Sequence, residues 1–343
     1  MKQRVSSHDV ARKAGVSQST VSLVLNGRTE ARIPEETRRR VFDAARSLNY
    51  TRNAAARALV TGRTQRIGVV LNHPQSFRNR DNYHGDIMAG IIDATLYHNY
   101  NLLFHSAQYP QWQSLRDDIL SGAADGVLLI GRFPPDELTP SLLQARFPTV
   151  CVNYHPDCDN YYAVDCDNEM GGYLAAMHAI ALGHRAIVFI SAGDDHSWAR
   201  ERKVGVMRAV TETGLAPSCL IAEGVAHDEP PEDTARRLLA YVPRPTAIIF
   251  SEEYLAQAVE ETLPALGLSV PDDISIISYN STTASERARP PMTSVYQPLT
   301  DIGHQALDLL VDIIEGKHVE PGVRRLPVRL DVRDSSGPAP DDL

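Results

Sequence analysis

The sequence predicts a small all-α head followed by an α/β body of two lobes, each a doubly wound parallel sheet. Three observations support this fold class. A chain of 343 residues is too long for one ordinary hydrophobic core. The head carries helix-capping residues and apolar residues at helical spacing. From Gln65 onward, continuous apolar runs recur about every 25 residues, the pattern of buried parallel strands joined by crossover helices.

The net charge of −9 divides unevenly along the chain. Residues 1–65 hold 13 Lys and Arg against 5 Asp and Glu, whereas the other 278 residues hold 21 against 38. The head is therefore basic, at +8, and the body acidic, at −17. This asymmetry indicates a nucleic-acid-binding module on a separate domain. A solvated basic helix is the alternative explanation.

The start of the head predicts two short helices around a tight turn. Ser6 and Asp9 have the spacing of a capping box, which starts the first helix. Gly15 suits the left-handed conformation just past a helix end. Ser17 then caps a second helix over about 18–25. Two such helices around a glycine turn predict a helix-turn-helix that offers its second helix to a major groove.

A third helix completes the predicted head. Pro34 and the two acids after it suit the first turn of a helix. Apolar residues then recur at helical spacing and close a small core under the other two helices. These residues are Val41, Ala44, Ala45 and Leu48.

What the sequence lacks disfavours several function classes. No run of 18 apolar residues occurs, which excludes a membrane span, and no signal-peptide core occurs, so we expect a cytoplasmic protein. Nucleotide-binding, esterase and zinc-protease motifs are absent, so we expect neither an enzyme nor a cofactor. Cys151, Cys158, Cys166 and Cys219 form no CxxC pair. A metal site from the first three with His155 is an alternative that fits no standard zinc spacing.

Residues 9–27, DVARKAGVSQSTVSLVLNG, resemble the signature of the LacI/GalR family of bacterial transcription regulators. The similarity continues through most of the chain, at 34–37, 48–50, 53–59, 61–64, 181–187, 271–275 and 296–299. The resemblance implies a sequence-specific transcriptional regulator, a repressor by family habit. It also implies a homodimer on a pseudo-palindromic operator and a small effector bound in a body like the periplasmic sugar-binding proteins.

The resemblance assigns DNA contacts to the second helix and to a hinge helix. Gln18 suits adenine, Ser19 suits several bases and Leu23 suits a thymine methyl; packing of Leu23 into the head's core is the alternative. Ala56 permits close pairing of two hinge helices, and Leu59 is expected to wedge between base pairs from the minor groove. The full set of expected DNA-binding residues is Ser17, Gln18, Ser19, Thr20, Ser22, Leu23, Asn26, Ala56 and Leu59.

The resemblance, together with the polar and Pro-rich composition of the C-terminus, also divides the chain into segments. We expect a head over 1–52, a hinge over 53–64, a two-lobed body over 65–334 and a disordered tail over 335–343. The first lobe is expected to contain 65–163 and 293–325, and the second 164–292 and 326–334. The helix over 85–98 is expected at the dimer face, and an ordinary core-facing helix is the alternative.

Ligands of doubly wound sheets bind at the carboxyl ends of strands, in the cleft between lobes. The planar guanidinium of Arg202 suits a sugar diol or an anion, and Tyr83 suits stacking on a sugar ring. Glu252 and Asn280 stand where sugar-sensing relatives commonly carry other polar residues. A carbohydrate is the expected effector, and a non-sugar polar metabolite remains open. The expected effector-binding residues are Asn72, Tyr83, Arg132, Asn153, Trp198, Arg202, Glu252 and Asn280.

Two other functions compete with regulation. One is a sugar-modifying α/β enzyme fused to a DNA-binding head, and release of product would reveal it. The other is a plain solute-binding protein, which the attached head and the missing signal peptide disfavour.

Overall fold

The computed structural model divides into two compact units, Met1–Thr64 and Gln65–Leu343. It describes the chain except for residues 1–4, 26–32, 52–57, 59–60, 72–81, 107–108, 110, 132–136, 192–195, 216–219, 225–228 and 341–343, and except for the side chains of 220–224. Among the described residues, no helix is both long and apolar enough to cross a membrane.

The first unit contains helices α1 (Ser7–Ala14), α2 (Gln18–Leu25) and α3 (Glu35–Ser47). The predicted capping box is present at the start of α1, and Gly15 adopts the left-handed conformation after it, at φ 66°. Apolar side chains from all three helices form one buried cluster, which explains why helices this short are stable together. Its fully buried members are Val10, Val21, Val24 and Val41.

The second unit contains two six-stranded sheets. The first sheet is parallel throughout, in the order β11-β5-β4-β3-β1-β2. Its strands are β1 (Arg66–Leu71), β2 (Asn101–Phe104), β3 (Gly126–Ile130), β4 (Thr149–Val152), β5 (Tyr162–Cys166) and β11 (Gly322–Leu326). The second has the order β12-β10-β9-β8-β6-β7 and is parallel except for β12, which runs antiparallel to β10. Its strands are β6 (Ile187–Ser191), β7 (Leu220–Gly224), β8 (Ala247–Phe250), β9 (Ser275–Asn280), β10 (Thr293–Tyr296) and β12 (Arg329–Asp331).

Helices cover the sheets as a doubly wound fold requires. They are α4 (Tyr83–His98), α5 (Trp112–Ile119), α6 (Leu138–Gln144), α7 (Asn168–Ala181), α8 (Ser197–Glu212), α9 (Pro231–Leu239), α10 (Glu253–Glu260), α11 (Thr283–Arg287) and α12 (Leu299–Ile314). Two helix pairs pack closely because they cross at glycines. A Cβ on Gly90 would lie 1.8 Å from the Thr300 carbonyl oxygen, and one on Gly172 would lie 2.0 Å from that of Arg202. No larger residue fits at either crossing without displacing backbone.

The expected division of the strands between the lobes was wrong in two places. Segment 293–298 was expected to return to the first lobe, but β10 pairs with β9 in the second sheet. The chain returns one step later, through α12, which packs against α4 and strands β3, β4 and β5. In addition, a first-lobe boundary after residue 163 falls inside β5, whose charged Asp165 interrupts the apolar run that would have marked a strand.

The expectation of a disordered tail was wrong for residues 335–340. Ser335 is fully buried; its hydroxyl donates to the Ile276 carbonyl (2.6 Å) and accepts from the Thr293 amide (2.8 Å). The Ala339 amide donates to the Leu182 carbonyl (2.9 Å). Polar composition misled here because small Ser, Gly and Pro residues can follow a sheet edge closely and satisfy its backbone groups. Residues 341–343 lie outside the described part.

Candidate functional site

The first unit presents a polar surface along α2. Val21 and Val24 point into the core, while Ser17, Gln18 and Ser19 are exposed at the start of the helix. As predicted, the Ser17 hydroxyl accepts a hydrogen bond from a backbone amide of the first turn, that of Thr20 (3.1 Å). The start of α2 is therefore both fixed by its cap and open to a partner. The partly exposed residues Thr20, Ser22 and Leu23 continue this surface.

Two side chains on this surface have defined environments. The Gln18 amide nitrogen donates to the Ser7 hydroxyl on α1 (2.9 Å), which orients the side chain and leaves its second amide proton available. Leu23 is partly exposed, and the cluster of described residues that forms the head's core does not include it. The expected alternative, packing of Leu23 into that core, therefore gains no support.

Five expected site residues lie outside the described part of the chain. Asn26, Ala56 and Leu59 belong to the expected DNA surface, and Asn72 and Arg132 to the expected effector site.

In the second unit, the carboxyl ends of the two sheets meet through hydrogen bonds. The Cys166 thiol at the end of β5 donates to the Gln297 side-chain oxygen just after β10 (3.2 Å). The Gln297 amide nitrogen in turn donates to the Asn280 oxygen at the end of β9 (2.6 Å). Burial raises the pKa of Cys166 well above its usual value, so the thiol keeps its proton and remains a donor. We call the region around these contacts the interlobe site.

Arg202 on α8 lies at the centre of the interlobe site and is 5% exposed. Its Nε donates to the Asn168 side-chain oxygen (2.9 Å), and its Nη1 donates to the Ser251 carbonyl. Its guanidinium carbon lies 3.4 Å from the centre of the Tyr279 ring and 4.8 Å from that of Trp198. Hydrogen bonds and aromatic faces thus compensate the buried charge and fix the orientation of the guanidinium.

The first lobe contributes Tyr83, from the start of α4, and Asn153, which follows β4. The Asn153 amide nitrogen donates to the Tyr83 phenol oxygen. Burial raises the pKa of Tyr83, so the phenol stays neutral. The Asn153 oxygen is buried and has no hydrogen-bond partner among the described residues. A buried acceptor without a partner is costly unless a bound molecule supplies a donor.

The two adjacent acids after β8 have different environments. Glu253 is fully buried, and its carboxylate accepts hydrogen bonds from the amides and hydroxyls of Thr282 and Ser285. It therefore anchors the start of α11. Glu252 is 7% exposed and accepts from the Ser251 hydroxyl beside Arg202. Of the two, Glu252 is the one connected to the interlobe site.

Six of the expected effector residues lie in the described part of the chain, at the interlobe site. They are Tyr83, Asn153, Trp198, Arg202, Glu252 and Asn280. Sequence reasoning assigned no role to Asn168 and Gln297, which hold Arg202 and Asn280. Asn168 lies two residues after the end of β5, so recognition of that strand would have indicated it. No group of three or more His, Cys, Asp or Glu residues suited to a metal ion occurs among the described residues.

An exposed helix-turn-helix surface and a separate two-lobed body with a polar interlobe site define a ligand-responsive DNA-binding regulator. Comparisons with known proteins agree. The family model for bacterial regulatory proteins of the lacI family matches residues 7–53, and that for a periplasmic binding protein-like domain matches residues 176–336. The chain belongs to the LacI family of bacterial transcriptional regulators.

Several relatives match along nearly their whole length. Catabolite control protein A of Priestia megaterium is 30% identical, over 97% of this chain and 99% of its own. The transcriptional regulator CelR of Thermobifida fusca is 31% identical, over 95% and 96%. The repressor PurR of Photobacterium profundum is 29% identical, over 95% and 97%.

Solved structures show the same architecture. A CelR–cellobiose complex is 28% identical and superposes with a TM-score of 0.73, over 97% of this chain and 100% of that one. A lac repressor dimer bound to operator and the anti-inducer ONPF is 25% identical, with a TM-score of 0.81 over 98% and 100%.

Proposed function

We propose that this regulator is a repressor whose operator affinity is set by a carbohydrate bound at the interlobe site. The observations that carry the proposal are the buried Asn153 oxygen without a partner and the fixed Arg202, whose charge acts on Tyr83, the hydrogen-bond partner of Asn153. A sugar hydroxyl can donate to the first and accept from the second. The similar CelR structure, which is a cellobiose complex, supports the same ligand class.

The charges of the site favour a neutral polyol. Glu252, buried beside Arg202, offsets the positive charge that an anionic effector would need. The ring of Trp198 contacts His196, at 4.9 Å between ring centres, and Arg202, and its remaining exposed surface is of the aromatic kind on which sugar rings pack. A non-sugar polar metabolite is the competing ligand, and the same screen detects it.

We assign operator reading to the exposed start of α2, through Ser17, Gln18, Ser19, Thr20, Ser22 and Leu23. Asn26, Ala56 and Leu59 are assigned to the DNA surface from the family resemblance alone. A dimer on DNA requires a protein–protein face, and α4 offers one. Its Ile92, Leu96 and Tyr97 are 51%, 76% and 75% exposed, an apolar patch of the kind that subunit interfaces cover. The lac repressor dimer on operator supports this assembly.

The regulatory mechanism is a coupling of two equilibria. An effector that prefers one relative position of the lobes shifts the protein toward that position, and operator affinity changes with it. Thermodynamic linkage requires operator DNA to change effector affinity by the same factor. The proposal includes no chemical turnover, so the sugar is expected to be recovered unchanged. We place the protein in the bacterial cytoplasm, where the chromosome is.

A thermal-shift screen tests the ligand class. We expect a sugar from a panel that includes cellobiose to raise the melting temperature by about 5 °C at about 100 times its Kd. Gel retardation of a pseudo-palindromic operator, with and without that sugar, then tests the coupling. Absence of any stabilising sugar together with a stabilising non-sugar metabolite would overturn the carbohydrate assignment.

Asn153→Ala tests the site. We expect it to weaken sugar binding about 5- to 50-fold, because it removes the unpartnered acceptor. Asn160→Ala is the matched control, since Asn160 is an exposed loop asparagine with φ 59°, against 53° at Asn153. Both variants carry the strain of Ala in the left-handed region, so an equal loss of affinity in both would contradict the assignment.

A further inference from the structure

An ion pair outside the interlobe site connects the two lobes directly. Glu201 belongs to α8 in the second lobe, and Arg325 belongs to β11 in the first. Both terminal guanidinium nitrogens of Arg325 donate to the Glu201 carboxylate, one to each oxygen, and each distance is 2.7 Å. Such a two-bond pair is geometrically specific, because both bonds lengthen when either group rotates or shifts.

Further contacts between the lobes surround this pair. The same Glu201 carboxylate lies 3.4 Å from the Nδ1 atom of His155, in the loop after β4. The other ring nitrogen of His155 lies 3.0 Å from the Asp165 carboxylate, which is 1% exposed. The His155 backbone amide donates across the lobes to the Ser197 hydroxyl at the start of α8 (3.1 Å).

The sheet register ties these contacts into one unit. Arg325 on β11 is the direct neighbour of Asp165 on β5. The first lobe therefore holds Arg325, Asp165 and His155 in one patch, against which Glu201 and Ser197 of α8 are placed. Separation of the lobes at this edge would break the ion pair and the His155–Ser197 hydrogen bond together.

We propose that the Glu201–Arg325 pair, with His155 and Ser197, is a latch that stabilises the arrangement of the lobes described above. An exposed ion pair alone contributes little, but a bidentate pair backed by a backbone hydrogen bond shifts an equilibrium between two rigid arrangements measurably. By mass action, such a latch sets the effector concentration to which the regulator responds. Only this last consequence rests on the proposed function.

Hydrogen exchange of the full-length protein without ligand tests the latch. The reporter is the His155 amide, which is protected by a hydroxyl of the other lobe. We expect Glu201→Gln and Arg325→Gln each to accelerate its exchange about three- to tenfold. The double variant should exchange no faster than the faster single variant, because either change already breaks the pair. Ser197→Ala gives the limit in which the amide has lost its acceptor.

The matched control is an ion pair within one lobe. Arg236 and Glu232 on α9 lie 2.6 Å apart, so Glu232→Gln with Arg236→Gln should leave His155 exchange unchanged. The proposal is overturned if neither single variant accelerates exchange, if the two accelerations multiply in the double variant, or if the control pair accelerates it equally.

The readout separates the latch from the proposed function. If a sugar binds only the latched arrangement, Glu201→Gln should raise its apparent Kd by the factor by which the latched fraction of the protein falls. A Kd that stays unchanged although that fraction falls would overturn the latch's control of the response. If no sugar binds, the carbohydrate assignment fails while the exchange measurements still decide whether the latch exists.

Discussion

The Arg202 guanidinium lies against the ring of Tyr279, 3.4 Å from its centre, while Asn168 and the Ser251 carbonyl hold two of its nitrogens. One side chain thus joins α7, α8, β8 and β9. The residue assigned to the effector is therefore also an element of the second lobe's stability.

We expect Arg202→Lys to lower the free energy of unfolding by about 2 kcal/mol and to weaken effector binding. A lysine ammonium cannot bond Asn168 and Ser251 in a fork while lying flat on an aromatic ring. Urea unfolding measures the loss. Arg200→Lys, at an exposed position of the same helix, is the control and should change stability by less than about 0.5 kcal/mol. Equal losses in the two variants would show that the buried contacts of Arg202 are not stabilising.

Glu260 predicts a pH dependence of stability. Burial, with a smaller contribution from the charge of Glu261, raises the pKa of its carboxyl to about 7. The folded state therefore keeps a proton that the unfolded state loses near the ordinary pKa of 4.5. The free energy of unfolding should fall as pH rises from about 4.5 to 7 and should change no further, through this group, above that.

Glu260→Gln isolates this contribution, because glutamine stays neutral. We expect the variant to be more stable than the parent by about 2–3 kcal/mol at pH 8 and similar to it at pH 4.5. Urea unfolding at the two pH values checks the difference. Asp233→Asn, an exposed acid on α9, should behave alike at both. A Glu260→Gln effect that does not grow with pH would refute the assigned titration.

Gln18 predicts a loss of sequence discrimination. We expect Gln18→Ala to weaken specific operator binding about 5- to 100-fold and to leave binding to unrelated DNA unchanged, since phosphate contacts carry no sequence information. Gel retardation at fixed salt measures both. Ser7→Ala is the comparison variant, because it removes only the hydroxyl on α1 that accepts the hydrogen bond of the Gln18 amide. A parallel fall on both DNAs in Gln18→Ala would indicate damage to the head rather than loss of base reading.

The segment 335–340 predicts an effect of truncation. A chain ending at Asp334 loses the Ser335 hydroxyl, which serves the Ile276 carbonyl and the Thr293 amide, and should be less stable by about 2–4 kcal/mol. Ser335→Ala should show about half of that loss. A chain ending at Pro340 retains these contacts and is the control. Equal melting temperatures for the two truncated chains would mean that the tail contributes nothing.

Local features of the sequence predicted the head well. The capping box of Ser6 and Asp9, the left-handed Gly15 and the Ser17 cap each depend on neighbours within four residues, so the sequence specifies them directly. The fold class of the body was also predictable, because parallel strands buried on both faces appear as apolar runs.

The crossings between lobes were not predictable from patterns. A local pattern can indicate a strand but not which sheet the strand joins, since that depends on partners far away in the chain, as for β10. Asp165 shows a second reason: a buried carboxyl, 3.0 Å from the His155 side chain, interrupts the apolar run and conceals β5. The site residue Asn168, two residues after the end of that strand, was missed for the same reason.

The order of the strands has a consequence for synthesis. Both sheets receive an edge strand from residues 322–331, after every other strand has been made. During translation the helical unit 1–64 can fold early, because its core is complete within its own residues. The two-lobed body cannot complete either sheet until that segment has left the ribosome. A nonsense or frameshift mutation shortly before residue 322 would therefore damage both lobes at once and spare the DNA-reading helix.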